Sequence, residues 1–155
     1  MKNLLAELFH KEPFKARISV YANCDIVLRG PDGKIKDRRF IHNTVTTNGK
    51  YGVADQILLS PTLNKPTYMA IGTGTPAANA LGTELDRNAL TSKTRSNAVV
   101  TFVADWAAGD GTGAITEAGV FDAVSTGNMW MSSSFSVINK GAGDTLQITW
   151  TLTVG

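Results

Sequence analysis

Residues with the chemistry of a catalytic site are few in this sequence, and their spacing does not assemble one. A Ser-His-Asp site needs a histidine to accept the serine proton, and the chain has only His10 and His42. Neither lies near the glycine-flanked serine of a nucleophile elbow. Four carboxylates could be paired for glycoside hydrolysis, although no pattern fixes their separation: Asp105, Asp110, Glu117 and Asp122. We therefore predict that the protein is not an enzyme.

Metal and cofactor motifs are also incomplete. A single cysteine, Cys24, and two distant histidines offer no zinc-ligand spacing. Residues 109–113 lack the alternating aspartates and the closing glutamate of a calcium loop, and their glycines indicate a tight turn with positive φ. Residues 72–77 fit a loose G-x-G-x-x-A dinucleotide fingerprint, but no βαβ pattern follows, so we predict a loop. We expect no metal and no cofactor.

The composition sets the class of protein to which these residues belong. The chain has 155 residues, 43% hydrophobic and 18% charged, which is typical of one soluble globular domain. No run approaches the roughly 18 apolar residues of a membrane span, and charges interrupt the apolar start of the chain, so we predict neither a span nor a signal peptide. The net charge of +2, with aspartates mixed into the basic segment 29–39, argues against binding to nucleic acid.

Alternating polar and apolar residues predict the elements that position these side chains. Residues 145–154 alternate without error, which indicates a strand with one wet face. The same period predicts strands over 18–28, 98–106 and 129–137. In the first of these, Cys24 points inward together with Ile18, Val20, Ala22, Ile26 and Leu28. In the third, one face carries Met129, Met131, Ser133, Phe135 and Val137.

Shorter strands are predicted over 35–42, 68–71 and 118–121, and clusters rich in glycine separate all of these runs. Seven such strands favour an all-β domain, an antiparallel sandwich or jelly roll over residues 17–155. One short covering helix is predicted over 50–59, with Val53, Ala54, Ile57 and Leu58 on one face.

Residues 1–16 are predicted to form a separate N-terminal arm, extended or partly helical. Within it, the residues Leu4, Leu5, Leu8 and Phe9 make an apolar stripe before Pro13, and Phe14 follows. Such a stripe needs a partner, either the core of the domain or a neighbouring subunit. Two aromatic residues, Tyr21 and Trp130, fall on outward faces, where they could stack on sugars or bases or pack against another subunit; we favour the second.

Several segments taken together resemble structural proteins of tailed bacteriophages. They are Asn-Thr-Val at 43–45, residues 68–75, Leu-Gly-Thr-Glu-Leu at 81–85, Ile-Thr-Glu-Ala-Gly-Val-Phe at 115–121, and 138–140 leading through Asp144 to 146–151. The resemblance spans about residues 17–154. It implies a virion component built on a β-sandwich or jelly-roll-like domain, used in capsid decoration or in tails and fibres, and it brings no catalytic residues.

Among these positions we predict capsid decoration. The short chain lacks the repetitive shaft of a fibre, and an apolar arm is suited to reach neighbouring subunits. The expected protein is a cement protein, a homotrimer on the virion head that bridges major capsid subunits after assembly in the bacterial cytoplasm. Its expected contact residues are Leu4, Leu5, Leu8, Phe9, Phe14 and Trp130. The alternative is a tail, baseplate or fibre component that binds host-surface glycans through residues 76–81 and Trp130.

Overall fold

The computed structural model describes residues 18–155. Within them, nine strands and one helix follow one another: β1 (Val20–Arg29), β2 (Ile35–Val45), α1 (Thr47–Asp55), β3 (Tyr68–Gly72), β4 (Glu84–Ala89), β5 (Ser92–Ser96), β6 (Val99–Trp106), β7 (Gly113–Phe121), β8 (Met129–Lys140) and β9 (Thr145–Val154). Every strand pair is antiparallel. The predicted all-β fold with one short helix is confirmed. The predicted arm, residues 1–16, lies outside the described residues.

The strands form one continuous sheet in the order β4-β3-β7-β8-β2-β1-β9-β6-β5. Strand β2 joins its two halves, because it pairs with β1 along most of its length and with β8 only at Thr44 and Val45. At the other side, Leu90 and Thr91 carry the chain from β4 to β5; the Leu90 N–H donates to Thr67, and the Thr91 N–H donates to Val103. We call β2-β1-β9-β6-β5 the first half and β4-β3-β7-β8 the second half.

The core lies between the two halves of this one curled sheet. The predicted arrangement as a sandwich or jelly roll is not confirmed. The first half contributes Ala22, Cys24, Ile26, Leu28, Phe102, Ala104, Trp106, Leu146, Ile148, Trp150 and Leu152. The second half contributes Met69, Ile71, Ile115, Ala118, Val120, Met131 and Ile138. The inward faces predicted for β1, β6 and β9 are therefore largely confirmed. Ile18 and Ala98 are exceptions, since they precede β1 and β6 and are exposed.

Strand β8 does not keep the single inward face that its alternation predicts. Ile115 pairs with Ile138 but Glu117 pairs with Ser134, so the ladder contains a bulge on β8. The regular pairing is interrupted on both strands there, and the alternation on β8 changes: Ile138 is buried, whereas Val137, predicted to share a face with Met131, is exposed.

Two strands, β4 and β5, were not predicted at all. Their sequences, Glu-Leu-Asp-Arg-Asn-Ala and Ser-Lys-Thr-Arg-Ser, are mostly polar and show no apolar period. They lie at the two edges of the sheet, where each strand has only one neighbouring strand. Because edge strands bury few side chains, their sequences need few apolar residues.

Helix α1 begins three residues earlier than predicted and packs through different residues. The Thr46 side chain caps it by accepting the Gly49 N–H at 3.0 Å, and the Thr46 N–H donates to the Trp130 carbonyl at 3.0 Å. The buried residues of the helix are Gly49 and Gly52, which lie against Trp130. Of the predicted apolar face, only Val53 packs against the core. Ala54 is exposed, and Ile57 and Leu58 are exposed beyond the end of the helix, which stops at Asp55 rather than at the predicted residue 59.

The same contact corrects the prediction for Trp130. This residue was expected on an exposed outer face, but it is only 4% exposed and belongs to the core. It occupies the irregular position between the pairs Val120–Met131 and Phe121–Met129, where α1 covers it. Trp130 is therefore not accessible to a partner or a glycan.

Replacing Gly49 tests this helix contact. Alanine is favoured over glycine inside a helix by up to about 1 kcal/mol. A Cβ atom at Gly49 would however overlap the Trp130 carbonyl oxygen, which is backbone and cannot turn aside. We expect Gly49→Ala to lower the free energy of unfolding by about 1 to 3 kcal/mol in urea titrations. Lys50→Ala, at the exposed next position, is the control and should change it little. An alanine variant at Gly49 as stable as the parent would contradict the contact.

Candidate interaction surfaces

The outer side of the first half is a broad face rich in threonine. The register places on it side chains from β1, β2, β9, β6 and β5, all pointing away from the core. We call it the threonine face; it comprises Tyr21, Asn23, Asp25, Val27, Arg38, Phe40, His42, Ser92, Thr94, Ser96, Val99, Thr101, Val103, Asp105, Gln147, Thr149, Thr151 and Thr153. Most of its central residues are half-buried by their neighbours, which leaves a surface of short side chains.

Two exposed aromatic residues lie at the β1–β2 side of the threonine face. Phe40 is 68% exposed, and Tyr21 is exposed as predicted. The Phe40 ring meets the His42 ring edge-on, with centroids 5.9 Å apart. The His42 Nδ1 atom lies 2.6 Å from the Asn23 Oδ1 atom, so this histidine is part of a surface cluster with no serine or carboxylate partner among its hydrogen bonds.

The few charges of the threonine face comprise one ion pair and one carboxylate that accepts hydrogen bonds from neutral groups. Arg38 donates from Nε and Nη2 to the two oxygens of Asp25, at 3.0 and 2.7 Å. Asp105 accepts from the Thr91 hydroxyl at 2.5 Å and from the Gln147 amide at 2.8 Å. The face therefore presents little net charge to an approaching surface.

The outer side of the second half is covered by the loop from 73 to 83, which a buried carboxylate holds in place. Glu117, on β7, is fully buried. Its Oε1 atom accepts the Gly74 and Thr83 N–H groups at 2.9 and 2.8 Å, and its Oε2 atom accepts the Gly82 N–H at 2.9 Å. Backbone donors replace the water that a buried carboxylate would otherwise lack. The loop predicted at 72–77 is confirmed, and it lies between two antiparallel strands.

The role of Glu117 was missed, because in sequence it is one of several carboxylates. A signal was present: it is the only charged residue in the apolar run 114–121. A charge in such a run calls for compensating partners, and the glycines at 72, 74 and 82 provide the close backbone approach, since a Cβ atom at Gly74 or Gly82 would collide with backbone atoms of the loop.

A second buried polar cluster lies where β8 turns into β9. The Asp144 carboxylate accepts from Lys36 Nζ at 2.7 Å and from the Gly141 N–H at 2.8 Å, and the first of these hydrogen bonds is the main cause that lowers the pKa of Asp144. Lys140 is buried beside it and donates to the Ala107 carbonyl at 2.9 Å. Burial lowers the pKa of Lys140, against the opposing charges of Asp110, Asp144 and Asp86.

The other residues that the sequence offered as candidates for a catalytic, metal or cofactor site do not assemble such a site in the described residues. The Asp122 carboxylate accepts the Asn128 N–H at 2.7 Å and its side-chain amide at 3.0 Å, closing the β7–β8 turn. The glycines at 109 and 111 have positive φ, as predicted for a tight turn. Among residues 18–155, no group of three metal-ligating side chains occurs. Burial raises the pKa of the Cys24 thiol, which lies in the core as predicted.

The end of the domain that carries α1 has an apolar surface. Ile18, Val20, Val53, Ala54 and Ile57 line a groove of about 530 Å³ between the start of β1 and α1. Val53 also borders a smaller cleft of about 250 Å³ that leads down to Phe102, Trp130 and Leu152. In the part of the chain that the structure describes, no helix is long and apolar enough to cross a bilayer.

The predicted contact residues are not brought together by the described structure. Leu4, Leu5, Leu8, Phe9 and Phe14 lie outside residues 18–155. Trp130 is buried, as described above. Compared with known protein families, curated proteins and solved structures, the chain has no match. The resemblance to bacteriophage proteins stays a prediction.

Changing Glu117 tests its role in holding the loop. In Glu117→Gln, one oxygen becomes an amide NH₂ that faces a backbone N–H, and the remaining hydrogen bonds lose the charge. We expect the free energy of unfolding to fall by about 2 to 3 kcal/mol and hydrogen exchange to accelerate in residues 73–83 before it does in β9. Asp105→Asn, at an exposed carboxylate that also accepts two hydrogen bonds, is the control. Unchanged exchange in the loop would refute the role.

The Asp144 cluster predicts how stability depends on pH. Because the folded-state pKa of Asp144 is below its ordinary value of 3.8, its charge stabilises the fold above that value, and this contribution disappears as the pH falls through the lower pKa. Asp144→Asn should therefore be less stable than the parent at neutral pH, and the difference should shrink in acid. Urea midpoints measured down to strongly acidic pH check this. The control, Asp32→Asn, removes an exposed ion pair with Lys34. A difference that does not vary with pH would contradict the assignment.

Proposed function

We propose that the chain is a non-enzymatic structural protein of a tailed bacteriophage virion, a capsid decoration (cement) protein that bridges neighbouring major capsid subunits on the head surface. The observation that carries this proposal is the threonine face, which extends over five strands, carries few charges and shows two exposed aromatic residues at one side. Such a surface suits docking to another broad protein surface better than capture of a small ligand.

The energetic centre of this docking is expected at Tyr21 and Phe40. Aromatic side chains that are exposed in a free protein and lie on an otherwise low-relief face are the usual anchors of an interface. Around them, threonine and valine side chains lose little conformational entropy when a partner covers them.

The arm supplies the second contact of the proposal. Its apolar residues Leu4, Leu5, Leu8, Phe9 and Phe14 would engage a neighbouring subunit once the domain is seated, and a homotrimer of such domains would lace adjacent shell positions together. The buried clusters at Glu117 and Asp144 support a structural role, because their charged groups serve the fold itself.

A sedimentation assay with expanded capsids tests the decoration role. The parent chain should co-sediment with capsids of the virus that encodes it and raise their melting temperature. Deleting residues 1–16 should abolish binding while the domain stays folded by circular dichroism, and Phe40→Ser should weaken binding at least tenfold. Val124→Ser, at an exposed position in the β7–β8 turn, is the control and should bind like the parent. Undiminished binding by both test variants would refute the proposal.

The alternative, a tail or baseplate protein that binds glycans, is favoured by one groove. Residues 76–79 line it together with Thr46, Asn48 and Lys50, and it encloses about 480 Å³ of mainly polar space. Immunogold labelling of virions separates the two roles. Gold around the head supports decoration, whereas gold at the tail tip supports the alternative.

A further inference from the structure

The apolar groove at the α1 end is a surface without a partner within residues 18–155. Ile57 is 82% exposed, and Ile18, which also lines the groove, is 76% exposed. Single exposed apolar residues are common on proteins, but here they lie side by side along a groove. The groove is also continuous, through Val53, with the cleft that reaches the core at Trp130.

Apolar residues lie in the last turn of α1 and in the turn that follows it. Val53 and Ala54 belong to the helix, and Ile57 follows it. The closest contact of α1 with the domain is made on another side, where Gly49 and Gly52 approach Trp130. Val53 is half-buried against the core, whereas Ala54 and Ile57 are left exposed for another segment to cover.

We infer that the chain's own N-terminal segment, residues 1–17, packs in this groove with the stripe Leu4, Leu5, Leu8 and Phe9. Three observations favour this occupant. The segment joins the domain at Ile18, which itself lines the groove. Its stripe is apolar, as are most of the side chains that line the groove. The eight residues from His10 to Arg17 can extend over roughly 26 Å, enough for the chain to reverse and reach α1.

The covalent connection favours the same chain over a second copy. A segment tethered at the rim of its own binding surface has an effective concentration in the millimolar range, far above that of free protein in dilute solution. The start of β1 is itself anchored, since Ser19 exchanges two backbone hydrogen bonds with Gly155 at 2.6 and 2.9 Å. The point of departure of the segment is therefore fixed beside the groove. This inference concerns the free protein and does not rest on the proposed role in the capsid, where the same stripe would leave the groove to engage a neighbouring subunit.

Disulfide trapping in the free full-length protein tests the inference. In a Cys24→Ala background, Leu8→Cys is combined with Ile57→Cys, or, as the matched control, with Ile35→Cys, which is exposed near the opposite end of the β1–β2 ladder. We expect the Ile57 pair to form a disulfide within one chain, with a yield several-fold above the control and independent of protein concentration. Trapping only as dimers, or with equal yield in the two pairs, would overturn the inference.

A fluorescent probe of apolar surface provides a second measurement that does not depend on cysteine geometry. Deleting residues 1–16 should expose the groove and raise the fluorescence of bound anilinonaphthalene sulfonate several-fold. Combining the deletion with Ile57→Ser should remove most of that increase. No increase upon deletion would show that the segment does not cover the groove. Because both experiments use free protein, they can fail while capsid binding succeeds, and the reverse.

Discussion

Strand β2 has two different neighbours, and the rest of the architecture depends on this division. It pairs with β1 from Ile35 to Asn43 and with β8 only at Thr44 and Val45. The sheet must therefore turn at that strand, which brings the two halves over one another. Tryptophans 106 and 150 from the first half and Met69, Ile71 and Met131 from the second half then fill one core. Without the turn, each half would leave an apolar face in water.

Curling leaves two outer sides, which the chain treats differently. On the second half, Glu117 binds three backbone N–H groups of the loop from 73 to 83 and covers the sheet with it. On the first half, no segment among residues 18–155 covers the threonine face, and its few charges are held by local hydrogen bonds. The outer side of the second half is thus covered by the chain itself, whereas the threonine face is exposed. The proposed docking therefore uses the first half.

Much of the fold could be predicted from the local alternation of polar and apolar residues. Features that depend on contacts between distant residues could not. Strand β9 is predicted to the residue because one of its faces is in the core and the other is polar. The edge strands β4 and β5 escaped prediction because they bury little, and the bulge in β8 because it depends on a partner strand distant in sequence. The apolar residues predicted for the helix do not make its closest contact. Gly49 and Gly52 make that contact, and glycine has no side chain from which close packing could be predicted. The Glu117 cluster joins residues more than thirty positions apart, so its partners could not be recognised in advance.

Several of the segments for which we predict a likeness to bacteriophage proteins meet at these buried polar groups. Residues 68–75, 81–85 and 115–121 converge on Glu117, and 138–144 form the cluster of Lys140 and Asp144. These residues stabilise the fold, so the predicted resemblance concerns the architecture of the domain. The proposed position in a virion needs a direct observation. Electron cryo-microscopy of particles of the bacteriophage that we propose as the source of this chain is that observation. We expect density for the nine-stranded domain on the head, with the threonine face against the shell; density confined to the tail, or a threonine face turned to solvent, would contradict the proposal.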